Sequence, residues 1–325
     1  MTKKIAVIGA GLAGLTFTSI MKANCDVKVF EKSRGVGGRM STRKETPFNF
    51  DHGAQFFKIK TSDFMNFFSE LFTKQIIQPW SFKLAYFEGR HLRKIKIIKN
   101  VDKFFVGVPH MDSILKHLSK SCDVILNTKI QKIVRKNNKW MIYDQNKNSY
   151  GSFDWIILSL PAEQSLELIT KNISFYPLIK KIKMKSCFSL MVGRNQSMNL
   201  DFDAALIENE DIAWLAMNNS KPCRLNNHCL LVNSSYEYAA KNINTSKDKI
   251  LKHLLNTTSN LINNKLVDST MIKIHQWRYV EAECSPIDNY FIDHNNKVAM
   301  CGDWFINSRV EGAFLSANQL SNEFI

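Results

Sequence analysis

Glycine and proline are scarce in this chain, with 13 and 7 among 325 residues. That excludes collagen-like and low-complexity architectures. No run of about 18 apolar residues occurs, so no stretch reads as a transmembrane helix. The 7 cysteines lie scattered at 25, 122, 187, 223, 229, 284 and 301, without a Cys-x-x-Cys pair. A secreted disulfide framework is denser and usually even in number, so a reduced, cytoplasmic protein is expected. The basic, apolar start (MTKKIAVIGAGLAGL) imitates a secretory signal, but no small-residue cleavage site follows it. No Cys/His cluster has zinc spacing, so no metal is expected. No Gly-x-Ser-x-Gly elbow announces a nucleophile either.

Acidic residues are outnumbered, 29 against 44 basic ones, for a formal charge of +15. The densest basic stretch, Arg90 to Lys103, interleaves with Leu92, Ile95, Ile97 and Ile98. It reads as a strand pair with one solvated face; a nucleic-acid element would group arginines with aromatics. Neither nucleic acid nor a membrane is an expected partner. A positive field does suit a phosphate-bearing small molecule. The remaining composition, 45% hydrophobic and 11% aromatic, is that of a globular protein. Its length suggests about two domains.

The chain opens with an apolar strand (Ile5 to Ile8), a Gly-rich turn, a helix from Leu12 to Met21 and a strand from Val27 to Phe30. This is a βαβ start. From Thr61 to Phe72, Phe64, Phe67, Phe68, Leu71 and Phe72 recur at helical spacing, which predicts an amphipathic helix. Short strands follow from Ile76 to Phe105, then a helix (Met111 to Leu118), a strand (Asp123 to Leu126) and a small meander near Ile130 to Tyr143. Asp154 to Leu158 reads as a buried strand ended by Pro161. After a mixed middle, Val298 to Cys301 is again an apolar strand, with a helix from Val310. The expected fold class is α/β: a discontinuous Rossmann-type domain (1–60, 107–162 and 285–325) with an inserted α+β substrate domain (61–106 and 163–284).

Six of the glycines fall near the N-terminus. Gly9, Gly11 and Gly14 form Gly-x-Gly-x-x-Gly between strand and helix. Such a turn brings backbone, including that of Leu12 and Ala13, close to a pyrophosphate resting on the helix N-terminus. Glu31 ends the second strand about twenty residues on, where a carboxylate can accept the hydroxyls of an adenosine ribose. Then comes Arg34-Gly35-Val36-Gly37-Gly38-Arg39. Its glycines permit close approach, and Arg39 offers a guanidinium to phosphate. No second Gly-x-Gly-x-x-Gly exists: only Gly107, Gly151 and Gly193 lie between Gly89 and Gly302.

This Arg-Gly-x-Gly-Gly-Arg block resembles the second fingerprint of the flavoprotein amine oxidase superfamily, where it wraps the FAD pyrophosphate. Cys301-Gly302-Asp303-Trp304 is similar to that superfamily's Gly-Asp step. Arg309-Val310-Glu311-Gly312-Ala313 resembles its final helix, whose N-terminus points at the flavin. Phe50-Asp51-His52-Gly53-Ala54-Gln55-Phe56-Phe57, Gly107-Val108-Pro109-His110-Met111 and His275-Gln276-Trp277-Arg278-Tyr279 resemble the renalase branch. The resemblance implies noncovalent FAD held by Gly9, Gly11, Leu12, Ala13, Gly14, Glu31, Lys32, Arg34, Gly38, Arg39, Met40, Gln55, Phe56, Ile130, Gly302, Asp303, Arg309, Val310, Gly312 and Ala313. It also implies an oxidase of isomeric NAD(P)H (α-anomers, or 2- and 6-dihydro forms). Hydride would pass to flavin N5 and then to O2, giving β-NAD(P)+ and H2O2.

The protein's task in that chemistry is positioning and electrostatics, with no certain catalytic side chain. Candidates to line the substrate cavity, for a nicotinamide dinucleotide, are Gln55, Phe57, His275, Trp277, Arg278 and Arg309. Arg309 stands where many amine oxidases carry an aromatic-cage tyrosine, and a guanidinium there disfavours a protonated amine. Relatives of this architecture also oxidise amines or desaturate polyenes. A non-catalytic, FAD-bound redox sensor is a further alternative.

Overall fold

The computed structural model describes residues 2–325. Two sheets organise them. The first has six strands in the order Phe291–Asp293, Val298–Met300, Trp155–Leu158, Lys3–Ile8, Cys25–Phe30, Asp123–Ile125. All pair in parallel except Phe291–Asp293 at the edge. Its central strands are nearly continuous apolar runs because one face is covered by helices and the other by a meander and the segment 162–179. The helix Leu12–Met21 is buried almost all round, and the final helix, Val310–Asn322, packs beside it. A three-stranded meander, Ile130–Lys136, Lys139–Asp144 and Ser149–Phe153, sits alongside.

The second sheet has seven strands: Met271–Ala282, Met184–Arg194, His228–Ser234, Ile212–Met217, Ala204–Glu208, Phe82–Glu88 and His91–Ile98. It is antiparallel except where Ala204–Glu208 runs beside Phe82–Glu88. The helix Lys247–Leu261 covers one face, burying Ile250, Leu254 and Leu255 against Leu190, Val192, Leu215 and Leu230. On the other face, Phe48 and Phe50 pack against Met191 and Leu231. Gly193 is required there, since a Cβ would stand 2.5 Å from the Phe48 ring.

Two expectations are corrected. The helix anticipated over Thr61 to Phe72 is two short helices, Ser62–Phe67 and Ser69–Thr73, broken at Phe68. The Ser69 hydroxyl donates to the Asn66 carbonyl at the break, a local bond that competes with the helical ladder. Phe64, Phe68 and Leu71 are buried as the periodicity required, with Phe64 and Phe67 against Phe314. The basic strand His91–Ile98 is exposed on both faces, with only Ile98 buried. It is the sheet's edge and no helix reaches it. The segments 61–80 and 162–179 pack into the cores around the parallel sheet.

Candidate nucleotide and active site

The three glycines of the first turn do different work. Gly9 adopts φ +109°, and a Cβ there would meet the Ser159 carbonyl at 2.5 Å; a Cβ on Gly14 would meet the Gly9 carbonyl at 2.1 Å. Both hold the loop down on the sheet. A Cβ on Gly11 would meet nothing within 4 Å. The loop therefore offers open space at Gly11, beside the first N–H groups of the helix starting at Leu12 and Ala13, which lack partners within the helix. Gly38, at φ +53°, lies against Gly11, and the Gly37 N–H donates to the Ala10 carbonyl at 3.0 Å. The second Gly-rich segment thus closes over the first.

Glu31 is buried beneath this loop. One carboxylate oxygen accepts the Ala10 N–H at 2.9 Å and the other the Ser33 N–H at 2.8 Å. Each oxygen keeps a second lone pair for a ribose hydroxyl. Thr128 N–H donates to the Glu31 carbonyl, which brings the segment leading to buried Ile130 alongside. Lys32 and Arg34 are exposed at the rim, while Met40 is buried in the core.

Arg39 joins segments far apart in sequence. Its guanidinium meets Asp303 at 2.5 Å and donates to the Val280 carbonyl at 2.8 Å. Its own carbonyl accepts the Ala54 N–H, and a Cβ on Gly53 would stand 2.0 Å from that oxygen. Gly302 and Asp303 lead to the final helix, capped by Arg309 and opening with Val310, Gly312 and Ala313. Gly312 lies against the Ile306 carbonyl, 2.0 Å from where a Cβ would be. Glu311 accepts bonds from the Lys60 and Thr61 N–H groups and the Thr61 hydroxyl. The Gly9, Gly37, Asp303 and Arg309 segments are therefore brought together.

On the second sheet's side, His52, His275 and Trp277 form an aromatic cluster, with ring centroids 4.4–5.0 Å apart. The Trp277 indole donates to the His52 carbonyl at 2.9 Å. Burial, then His275 and Arg43, push the His52 pKa down to about 3; burial, then Arg43 and Lys247, push that of His275 down to about 4. Both imidazoles are neutral at physiological pH. His52, within the Phe50 to Phe57 block, belongs to this cluster.

Four expected lining residues are placed differently. The Gln55 amide turns into its own loop, donating to the Asp51 and Gly53 carbonyls. Phe57 is core, against Phe64 and Phe105; in this extended segment it is Phe56, one residue earlier, that is partly exposed, among Phe104, Trp80 and Trp214. Arg278 alternates away from Trp277 and is exposed. Arg309 pairs with Glu281 at 2.9 Å, and its side chain is 70% exposed. Glu281 also holds Lys185 at 3.1 Å and accepts the Tyr236 hydroxyl at 3.2 Å.

Sequence reasoning also missed a sealed cluster behind the Gln55 loop. Asp51 binds Arg224 at 2.7 Å, Lys221 at 3.2 Å, the Thr42 hydroxyl at 2.6 Å and the Met111 N–H at 3.1 Å. Burial by itself would raise the Asp51 carboxyl, but Lys221 and Arg224 outweigh it and hold it well below the usual range. Burial lowers Lys221 to about 8, partly offset by Asp51. Asn218 adds a bond to the Asn49 carbonyl, so the 218–224 loop clasps the 49–55 segment. Asp51 stood within a recognised block; nothing local in Asn-Asn-Ser-Lys-Pro-Cys-Arg signals its partners.

Comparison with known proteins agrees with this geometry. A model of the NAD(P)-binding Rossmann-like domain matches residues 7–71. The chain superposes on a putative protoporphyrinogen oxidase from Exiguobacterium sp. 255-15 with a TM-score of 0.79 at 9% identity, covering 100% of this chain and 99% of that one. Putrescine oxidase bound to putrescine gives 0.72 at 11% identity, with coverage of 100% and 99%. The fold is the one these flavin oxidases share. The chain is also similar along nearly its whole length to renalase from Mus musculus, at 23% identity over 97% of this chain and 96% of that protein. A 4,4'-diapophytoene desaturase from Staphylococcus aureus (strain Newman) is 49% identical over 51 residues, 15% of this chain and 10% of that one.

Proposed function

We propose that the protein is an FAD-dependent oxidase of isomeric NAD(P)H. The site suits FAD in each part: open space over Gly11 for the pyrophosphate, Glu31 with free lone pairs for the ribose, and Arg39 with Asp303 between them. FAD supplies hydride acceptance and electron delivery to O2. Gly302, Val310, Gly312 and Ala313 would help to hold its redox-active end. Cys301 is fully buried and its thiol is pushed up to about 12 by burial, which favours noncovalent binding. The cofactor domain comprises 1–60, 107–162 and 285–325, and the substrate domain 61–106 and 163–284.

The observation that carries the substrate reading is electrostatic. A neutral aromatic cluster of His52, His275 and Trp277 has Arg43 and Lys247 near His275, and Lys185 and Arg309 gather on Glu281, four residues along the same strand from Trp277. A flat, uncharged dihydronicotinamide suits the cluster, and its phosphates suit these cations; a protonated amine suits neither. His275 and Trp277 orient the ring, and Phe56 with Trp214 excludes water beside it.

Anaerobic mixing of the yellow protein with 6-dihydro-NAD, followed by visible absorbance, tests this. Rapid bleaching with the nucleotide and none with a primary amine is expected. Bleaching by the amine alone would overturn the substrate assignment. Replacing Gly11 by Leu is expected to leave the fold intact, since no atom opposes its Cβ, and to abolish flavin retention. A fully flavinated Gly11→Leu protein would remove that turn from the FAD site.

A further inference from the structure

Glu281 is crowded by donors for one carboxylate. Lys185 and Arg309 reach it from two separate segments at 3.1 and 2.9 Å, and the Tyr236 hydroxyl adds a third contact at 3.2 Å. Lys185 also lies over the Tyr236 ring, 5.0 Å from its centre. The cluster carries two cations against one anion, so it keeps a net positive charge. It bridges the two halves of the molecule, because Arg309 caps the final helix while the other three belong to the second sheet and its adjoining helix. Neither cation is sealed: the Arg309 side chain is 70% exposed and that of Lys185 33%. Glu281 lies four residues beyond Trp277 on one strand, across a bulge, or about 10–13 Å at strand spacing. That separation spans a ribose between a ring held at Trp277 and the phosphates attached to it.

We infer that Arg309 and Lys185 form a pyrophosphate subsite in which Glu281 is the resident anion that a nucleotide substrate displaces. Guanidinium and carboxylate are matched in geometry, and so are guanidinium and phosphate, so Arg309 can change partners with little rearrangement. The Arg309 side chain is 70% exposed while that of Glu281 is 18% exposed, so in the exchange the guanidinium moves and the carboxylate stays with Lys185 and Tyr236. Glu281 holds the arginine extended across the mouth until the substrate arrives. Selectivity follows as well: a dinucleotide gains the two cations, while a free dihydronicotinamide ring meets only the aromatic face.

This inference rests on the nicotinamide reading of the site, and its test separates the two. FAD-loaded wild-type, Arg309→Gln, Arg309→Lys and Glu281→Gln proteins would be titrated calorimetrically with inorganic pyrophosphate, the flavin content of each being measured first. Arg309→Gln should weaken binding about tenfold or more, Arg309→Lys should recover part of it, and Glu281→Gln should tighten it. The opposite signs are the signature, since a merely structural role would weaken binding in both. Anaerobic bleaching by 6-dihydro-NAD and by the 6-dihydro nicotinamide riboside, which has no phosphate, supplies the second readout. At matched flavin content, Arg309→Gln should raise the half-saturating concentration for the dinucleotide far more than for the riboside. Equal effects on both compounds, or weaker pyrophosphate binding in Glu281→Gln, would overturn the subsite. Absence of bleaching by either compound in wild type, with the pyrophosphate pattern intact, would instead overturn the substrate reading and leave the anion subsite standing.

Discussion

Asp51 and Glu281 each hold two cations, the first in a sealed interior and the second at an open mouth. Asp51, Lys221 and Arg224 have side chains no more than 2% exposed; Arg309 beside Glu281 is 70% exposed. Identical chemistry therefore does opposite work. In the interior no water can replace a lost partner, so the cluster fixes the 49–55 segment that carries His52 and Gln55. At the mouth water or a ligand can replace Glu281 as the partner of the exposed Arg309, so that pair is exchangeable. Burial, rather than pairing, separates a structural clasp from a binding device.

The largest effect that would sharpen this contrast is at Asp51. Asp51→Asn leaves two cations buried without a counter-charge and should cost about 3–5 kcal/mol, read as a lower denaturation midpoint together with lost flavin. A midpoint near that of wild type would break the contrast. Lys221→Met should cost clearly less, because Asp51 and Arg224 remain a neutral pair. It should also remove a pH response. The Lys221 pKa of about 8 lies below the unfolded value near 10.4, so the native chain binds fewer protons in that window and stability rises with pH across it. Wild type should show that rise and Lys221→Met should not; a slope that survives the substitution belongs to other groups.

A third effect concerns the aromatic face. His52 and His275, depressed to about 3 and 4, stay neutral while the unfolded chain takes up their protons from about pH 6.5 downward. Stability should therefore fall as pH drops from about 6.5 toward 4, and His275→Asn should flatten part of that decline in melting temperature. An unchanged acid limb would mean that His275 is not held neutral. The smallest effect is expected at the mouth: Glu281→Gln should lower the melting temperature far less than Asp51→Asn, since Arg309 is left in water. A loss rivalling that of Asp51→Asn would erase the distinction between the two clusters.

The comparison also marks how far the sequence could be read. The helix Leu12–Met21 was legible to the residue, because the glycine turn and the apolar run fix both its ends. The second strand ending just before Glu31 was likewise legible, since a strand, turn and helix set the spacing locally. Phe56 and Phe57 could not be told apart, because in extended chain neighbours face opposite ways and only the packed neighbours say which way is in. The break at Phe68 depended on a Ser69 hydroxyl that periodicity does not weigh.

The sequence by itself determined the nucleotide-binding half of this protein: a pyrophosphate turn needs glycines and a helix start at fixed short separations, and those are local properties. Tertiary structure alone decided which charges are sealed and which are free. Lys221 and Lys185 are both lysines in unremarkable settings, and Asp51 is 170 residues from the first and Glu281 96 from the second. Desolvation depends on every element packed around a charge, and so on the completed fold, which no local pattern contains.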